Sequence, residues 1–318
     1  MVLINDRTSL TQLIRKESHK LGFQYVGIAP AEAVQDEYAQ SFRDWIANGL
    51  HGEMSYLANN VDKRLNPRLL MPSAKSIVCL TINYYPEERI QDEEYHLSYY
   101  AYGQDYHQVV KEKLQNLVKR ISPICPTPIE VKLCVDTVPI LERYWAQQAG
   151  LGFIGKNGQL IIPEAGSYFF LAEILINQEL EYDTPMSNQC GDCTLCIKHC
   201  PTGALLGDGM MDARKCFSYL TIEYRGESLP QRLRKAQGNR IYGCDTCALV
   251  CPFNKQATST SEIAFHPHPD LLKMHKSDWV SLDIPTYQRL FKGSAVKRAK
   301  YSGLKRNIDH ISNPKNKK

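Results

Sequence analysis

The spacing of the cysteines constrains this chain more than any other feature. Eight of its eleven cysteines fall between residues 186 and 256. One group reads Cys190-x2-Cys193-x2-Cys196-x3-Cys200-Pro201. The other reads Cys244-x2-Cys247-x3-Cys251-Pro252, with Cys216 upstream to supply the ligand this second group lacks. A [4Fe–4S] cubane needs four thiolates at tetrahedral corners. Two-residue spacing lets one tight loop place three of them, and the cysteine three residues on begins a turn that carries it to the neighbouring cluster. Crossed ligation follows: Cys190, Cys193, Cys196 and Cys251 for one cluster, and Cys200, Cys216, Cys244 and Cys247 for the other. Crossing also keeps the two clusters close, as an electron relay requires. Zinc sites also use Cys-x2-Cys pairs, but they need neither the third cysteine nor the Cys-Pro endings.

The first group is the complete run of bacterial two-cluster ferredoxins. Cys79, Cys125 and Cys134 lie outside this pattern and are expected to be small core residues. No apolar stretch approaches a membrane span. Met1-Val2-Leu3-Ile4 is too short for a secretion signal, and no twin-arginine pair precedes it. The expected compartment is the cytoplasm, where a disulfide framework is not expected.

Three segments are expected. Residues 1–185 carry mixed α/β periodicity. Leu10, Leu13, Ile14 and Leu21 share a helical face that Gly22 would end; 25–29 and 77–85 read as strands, and 38–48 as a helix stopped by Gly49. Val109 to Ile121 is strongly amphipathic. Ile129, Val131, Leu133 and Val135 alternate as a strand, and Pro139 is placed to start a helix that Gly150 ends. Residues 160–163 and 168–177 read as a hairpin around Glu164-Ala165-Gly166. Residues 186–258 form the cysteine module, and 259–318 a mostly polar extension. With 318 residues, 43% of them hydrophobic, the chain can bury a substantial core. Its net charge of +4 is uneven: residues 292–318 hold nine Lys/Arg and one acid, or +8. Such a tail suits an anionic partner such as nucleic acid.

Two motifs promise more than they carry. Gly150-Leu151-Gly152-Phe153-Ile154-Gly155 matches G-x-G-x-x-G, but a dinucleotide fingerprint follows a strand and this one follows a helix. Asp105-Tyr106-His107 begins like a cobalt-ligating D-x-H-x-x-G motif, yet Val110 stands where the glycine belongs, so His107 reads as a helix-start histidine. Asp136 sits where a strand ends, the position at which α/β sheets bind ligands; the plainer alternative is a helix cap.

Taken together, Asp62-Lys63-Arg64 with Asn66-Pro67-Arg68, Tyr102-Gly103-Gln104-Asp105-Tyr106-His107, the run from Asp136 to Arg143, AGLGFIGKN (149–157), EAGSYFFLAEIL (164–175) and GSAVKRAKYSGLKRN (293–307) resemble the epoxyqueuosine reductase family. The resemblance covers about residues 8–307. It implies an α+β/α/β fold: an N-terminal cobalamin-binding domain like that of reductive dehalogenases, then a ferredoxin-like domain with two [4Fe–4S] clusters. It implies an oxidoreductase of tRNA queuosine biosynthesis that reduces the epoxide at the wobble position. Electrons would pass from an external low-potential donor through the clusters to base-off cobalamin. Asp136 matches the family's general acid, and protonation near neutral pH would require burial to raise its pKa by roughly two to three units. Expected cobalamin contacts are Tyr102, Gly103, Asp136, Ile154, Lys156, Asn157, Ser218, Asp245 and Thr246. Expected tRNA contacts are Arg225, Lys297, Arg298, Lys305 and Arg306, with Arg232, Arg234, Lys235 and Arg240 as a further phosphate-facing surface. No membrane is implied, and a monomer suffices.

Asn59 and Asn60 stand where the family commonly has an arginine. The sequence also ends without the helical-repeat domain that many members carry, so the basic tail is expected to take over its tRNA contacts. The competing readings are a reductive dehalogenase-like corrinoid enzyme and a non-enzymatic ferredoxin-type carrier, which would leave residues 1–185 without a task.

Overall fold

The computed structural model describes residues 6–312 apart from 92, 126, 231, 232 and 234. At its centre are four strands in the order Tyr25–Pro30, Ser76–Asn83, Phe169–Ile176 and Val131–Cys134, every neighbouring pair antiparallel. The 76–83 strand is buried along its whole length, because helices cover both faces of the sheet. Strand periodicity sends Val78, Leu80 and Ile82, with Phe170, Ala172 and Ile174, to one face. There they meet Leu10 and Ile14 of helix Arg7–Lys20 and Val110, Leu114 and Leu117 of helix Tyr106–Ile121. Ile77, Cys79, Cys134 and Leu175 face the other way, against Ala39 of helix Asp36–Ala47 and Tyr144 and Trp145 of helix Glu142–Gln148. Cys79 and Cys134 are fully buried and Cys125 nearly so, as small core residues should be.

Three local expectations need correcting. The strand after Gly166 does not fold back on 160–163. Leu160–Ile161 pairs with Phe153–Ile154, and Phe169–Ile176 goes to the central sheet, leaving one bridge, Ile162 to Gly166. Helix Glu142–Gln148 starts three residues after Pro139, with Leu141 at its N-cap and no side chain capping it. Asp136 is therefore not a helix cap.

The third correction concerns residues 259–312, which are not a polar extension. Short helices at Pro269–Leu272, Lys276–Val280, Ile284–Leu290 and Lys300–Ser312 bury Trp279, Leu290, Phe291, Val296, Leu304 and Ile308. This core also takes Leu97, Tyr99 and Tyr102 from the N-terminal part and Ile241 and Tyr242 from the cysteine module. Strand Arg240–Tyr242 pairs with His96–Leu97. The packing thus draws on all three sequence segments. Lys315, Lys317 and Lys318, like Arg232 and Arg234, lie outside the described residues.

Candidate active site

Strand Val131–Cys134 delivers the chain to Asp136, which turns into the left-handed region at φ 52°. That conformation is costly for a residue with a Cβ, though aspartate tolerates it better than most. The Asp136 N–H donates to Glu142 Oε1 at 2.6 Å. Its side chain, about half exposed (54%), takes its Oδ2 to within 3.0 Å of His107 Nε2. The other ring nitrogen of His107 lies 2.7 Å from Asp105 Oδ1. Both of its partners are carboxylates, which only accept, so both ring nitrogens donate and the ring is an imidazolium. Burial pushes the His107 pKa down, but the bonds to Asp105 and Asp136 outweigh it and hold the pKa at about 9.

Asp136 departs from expectation. Burial pushes its carboxyl up, but the hydrogen bond and charge of His107, the Tyr106 hydroxyl and the Arg143 charge pull harder. The net result is a pKa below the ordinary carboxylate value. At neutral pH the proton sits on His107, and Asp136 is a carboxylate. Sequence reasoning treated His107 as a helix-start residue. It does occupy the first turn of helix Tyr106–Ile121, whose cap is Asp105, and from that turn it reaches the site.

Asp136 borders a cavity of about 210 Å³ with an aromatic floor of Tyr84, Tyr100, Tyr106, Phe169 and Phe170 and a polar rim of Arg143, Gln159 and Ser167. Phe170 and the Tyr106 ring stack at 4.3 Å and 7°, and the Tyr106 ring lies 4.1 Å from that of His107. Glu142 lines the same space; burial and the Asp136 charge raise its pKa. On the opposite side, Glu173 of the central strand is fully buried, and neither carboxylate oxygen has a partner. Burial first, then the Glu142 charge, raise it well above the usual range, so it is neutral. Tyr106, Glu142 and Glu173 all escaped sequence reasoning as site residues, since each reads as part of an ordinary helix or strand.

The eight cysteines of the 186–256 module are close enough in space to influence one another's thiols. Cys190, Cys193, Cys196 and Cys251 ring a cavity of about 40 Å³, with Ile161, Leu195 and Phe253 beside them. In the other set, burial raises the Cys216 thiol, and neighbouring Cys244 and Cys200 add to this. Cys247 likewise has Cys216 and Cys244 as neighbours. Cys200 is lowered. Burial opposes this, but the N–H groups of Thr202, Ala204 and Leu205 and the Thr202 hydroxyl favour its thiolate. The Ala204 N–H lies 3.3 Å from its sulfur.

The glycine-rich loop joins the two centres. Gly152 lies so close to the Ile161 carbonyl that a Cβ would sit 2.3 Å from it. Its glycines thus serve the 153–161 hairpin, and no dinucleotide turn forms. Lys156 donates to the Gly191 carbonyl at 2.6 Å and Arg143 to that of Gly158. Asn157 is 3% exposed, and its side-chain N–H group has no partner. Ile154 and Lys156 are partly exposed in the same loop. Ser218 is partly exposed in the helix that follows Cys216.

Other expected contacts lie elsewhere. The Tyr102 hydroxyl is buried and accepts from Ile90 N–H; Gly103 is packed against Ala264 and Phe265. Neither borders the Asp136 cavity, where Tyr100 and Tyr106 stand instead. Asp245 accepts from the Tyr99 N–H at 2.9 Å, and the Thr246 hydroxyl accepts from Arg240 at 2.7 Å. Among the basic residues, Arg225, Lys297 and Arg298 are exposed. Arg298 pairs with Glu223 at 2.7 Å and lies over the Tyr56 ring. Arg225 donates to the Arg298 carbonyl. Tyr56 feels the charges of Glu223, Arg298 and Asp136. Arg306 turns inward to the carbonyls of Leu220, Tyr224 and Gly226, and Lys305 donates to that of Val280. These two are anchors of the fold.

Comparison with known proteins fits this geometry. Residues 64–137 match the protein-family model described as epoxyqueuosine reductase QueG, DUF1730, and residues 189–254 match that of a 4Fe-4S double cluster binding domain. An epoxyqueuosine reductase of Cellulophaga algicola is 43% identical over 308 residues, covering 97% of this chain and all of the relative. The crystal structure of an epoxyqueuosine reductase with an epoxyqueuosine-modified tRNA-Tyr stem loop superposes with a TM-score of 0.85 at 30% identity, over 95% of this chain and 80% of that one. A Bacillus subtilis epoxyqueuosine reductase, described with its catalytic aspartate loop swung out of the active site, has a TM-score of 0.85 at 30% identity, over 95% and 81%.

Proposed function

The chain belongs to the epoxyqueuosine reductase family, and from that premise we propose that it reduces the epoxide of epoxyqueuosine in a tRNA anticodon to the alkene of queuosine. One observation supports this reading above the rest. Asp136 is held in an unusual backbone conformation at the edge of an aromatic cavity, within reach of an imidazolium. A short path through Glu142, Arg143, Gly158 and Lys156 links it to the first cysteine loop.

We assign the two [4Fe–4S] clusters to the crossed sets, Cys190, Cys193, Cys196 and Cys251, and Cys200, Cys216, Cys244 and Cys247. The aromatic floor and polar rim of the cavity suit a flat macrocycle fringed with amides, and the unpartnered Asn157 amide offers it a donor. The residues present therefore fit cobalamin. Arg143, Gln159, Ser167 and Asn157 would hold it, with Ile154 and Lys156 of the same loop and Ser218 beside it. When bound, cobalamin supplies a reducing, nucleophilic metal fed one electron at a time through the clusters. The chain's own residues do the rest. The aromatic floor excludes water, Glu142 holds the Asp136 backbone, and Asp136 turns toward the epoxide a carboxyl oxygen that delivers protons once it has been charged with them. Arg225, Lys297 and Arg298 lie on the face that would take the tRNA backbone.

Residues 1–185 thus act as the catalytic part, 186–258 as the electron relay and 259–318 as a brace that also presents basic side chains. An external low-potential donor supplies the electrons, and the enzyme works as a monomer in the cytoplasm with the tRNA. Among the described residues, no helix is long and apolar enough to cross a membrane.

The test is anaerobic reconstitution with iron, sulfide, cobalamin and a reductant, followed by nucleoside analysis of tRNA from cells that accumulate epoxyqueuosine. Queuosine is the expected product. A fully loaded protein that leaves the epoxide intact would point to another corrinoid substrate.

A further inference from the structure

Converting an epoxide to an alkene expels its oxygen as water. Two C–O bonds break, two O–H bonds and one C=C π bond form, and two electrons and two protons are consumed. Both protons end on the same oxygen, so whichever side chain faces that oxygen must deliver twice. Asp136 has a single carboxyl, and in this structure it is ionised. Something must therefore charge it before each delivery.

Several groups surround it. The Tyr106 hydroxyl and the Arg143 guanidinium favour its charged form, but a phenol is too weak an acid and a guanidinium does not give up its proton. The Glu142 carboxylate accepts the Asp136 backbone N–H from the far side. Arg64 and Tyr56 feel the Asp136 charge from further away. Glu142 is pushed up to about 7 by burial and the Asp136 charge, but it meets only the backbone N–H; His107 alone brings a proton it can give up to the Asp136 carboxyl itself.

Its placement is over-determined. The Asp105 carboxylate takes one ring N–H at 2.7 Å and also accepts the His107 backbone N–H at 3.1 Å. Asp105 is itself tied down, its N–H donating to the Gly293 carbonyl at 2.6 Å. The ring stacks on Tyr106, which stacks on Phe170 of the central sheet. The remaining nitrogen can only face Asp136. The side chain is also 35% exposed, so solvent can return a proton to it.

We propose that His107 is the proton relay of this site, passing a proton from Nε2 to Asp136 Oδ2 before each of the two protonations of the substrate oxygen. The inference rests on the reaction proposed above. In one turnover two protons pass from solvent through His107 and Asp136 to the oxygen. The two electrons come from the external one-electron donor by way of the clusters. Asp105 holds the imidazole in the orientation that leaves Nε2 toward Asp136. His107 acts through Asp136 and is a positioning and relay residue that does not touch the substrate.

The test uses the reconstituted holoenzyme. His107→Gln, which keeps a donor toward Asp136 but cannot transfer a proton, is expected to lower turnover about 10²-fold with iron and cobalamin contents unchanged. The fall in wild-type turnover as pH rises through about 9 should disappear in this variant. His107→Gly should regain turnover with added imidazole, following the concentration of imidazolium. A readout independent of turnover is the His107 titration followed by NMR, which Asp136→Asn should shift to lower pH. The relay is overturned if His107→Gln turns over like wild type with its alkaline limb in place. It is equally overturned if imidazole fails to rescue a folded, loaded His107→Gly, or if Asp136→Asn leaves the His107 titration unmoved. A wild-type enzyme that forms no alkene would instead overturn the reaction itself, so the two readings fail separately.

Discussion

Glu142 Oε1 accepts the backbone N–H of Asp136 at 2.6 Å while Asp136 holds a φ of 52°. A left-handed aspartate costs on the order of 1–3 kcal/mol and persists only where its surroundings hold it. Here the holding group is a side chain six residues along the chain, on the first turn of the next helix. Glu142→Ala removes that acceptor. We expect turnover to fall about tenfold or more in single-turnover assays, since 1.4 kcal/mol is a factor of about ten in the population of the productive loop. Glu142→Gln retains an oxygen acceptor and should retain most of the activity. An alanine variant as fast as wild type would show that the loop needs no such support.

Glu173 poses the opposite problem, a carboxyl with nothing to bind. The strand register sets it beside Cys79 on one neighbouring strand and Cys134 on the other, fully buried. Burial first, then the Glu142 charge, raise its pKa, so the folded protein binds this proton more tightly than the unfolded chain. Its contribution to stability is fully present below the unfolded value, near pH 4.5, and declines as pH rises toward the higher folded value. Replacing an unsatisfied buried polar group by an apolar one should recover about 1–3 kcal/mol. Glu173→Leu is therefore expected to raise the melting temperature by several degrees at neutral pH and to flatten its dependence on pH. A lower melting temperature would mean that Glu173 has a partner when the cofactors are bound.

Crossed ligation makes a sharp prediction about iron. Cys251 lies 55 positions beyond Cys196 in the sequence, yet lines the cavity of the first cysteine loop. Cys251→Ala should leave the cluster of Cys200, Cys216, Cys244 and Cys247 intact and damage the other. Cys200→Ala should do the reverse, although Cys200 belongs to the first run. Iron content near half of wild type, with distinct EPR signals for the two variants, is the expected result. Identical residual signals from both would refute the crossing.

The parts of this structure that were legible in sequence are those fixed by local spacing. Cysteine intervals determine which sulfurs one loop can present. The period of Val110, Leu114, Leu117 and Ile121 marks a helix face whatever it packs against. What escaped depends on distant pairing. His107 and Asp136 are 29 residues apart and meet only because the sheet brings a helix start to a strand end. Glu173 hides in an apolar run whose register is set by strands 76–83 and 131–134. The C-terminal core was misread because Trp279, Leu290 and Val296 lie in helices too short to establish a period. Asp136 does stand just past the end of a strand, as its sequence context suggests, but its carboxyl is shifted down where the expected role called for a shift up. That depends on the charge of His107, which no spacing rule reveals.

Two arginines that look alike in sequence should behave differently toward tRNA. Arg298 is exposed, although it grips Glu223, whose side chain is only 17% exposed, through three hydrogen bonds. A phosphate at this surface would share the guanidinium with that carboxylate. Arg306 gives its donors to the carbonyls of Leu220, Tyr224 and Gly226 and to the Asn307 side chain. Arg298→Ala should weaken binding of an anticodon stem loop and lower the slope of log affinity against log salt by about 0.7–0.9. Arg306→Ala leaves three carbonyls without a partner and should cost on the order of 2–3 kcal/mol of stability, while the folded fraction keeps the wild-type salt slope. Fluorescence anisotropy across a salt series, paired with thermal unfolding, separates the two. A full salt slope in Arg298→Ala would move the RNA-binding surface away from Arg298 and its neighbours.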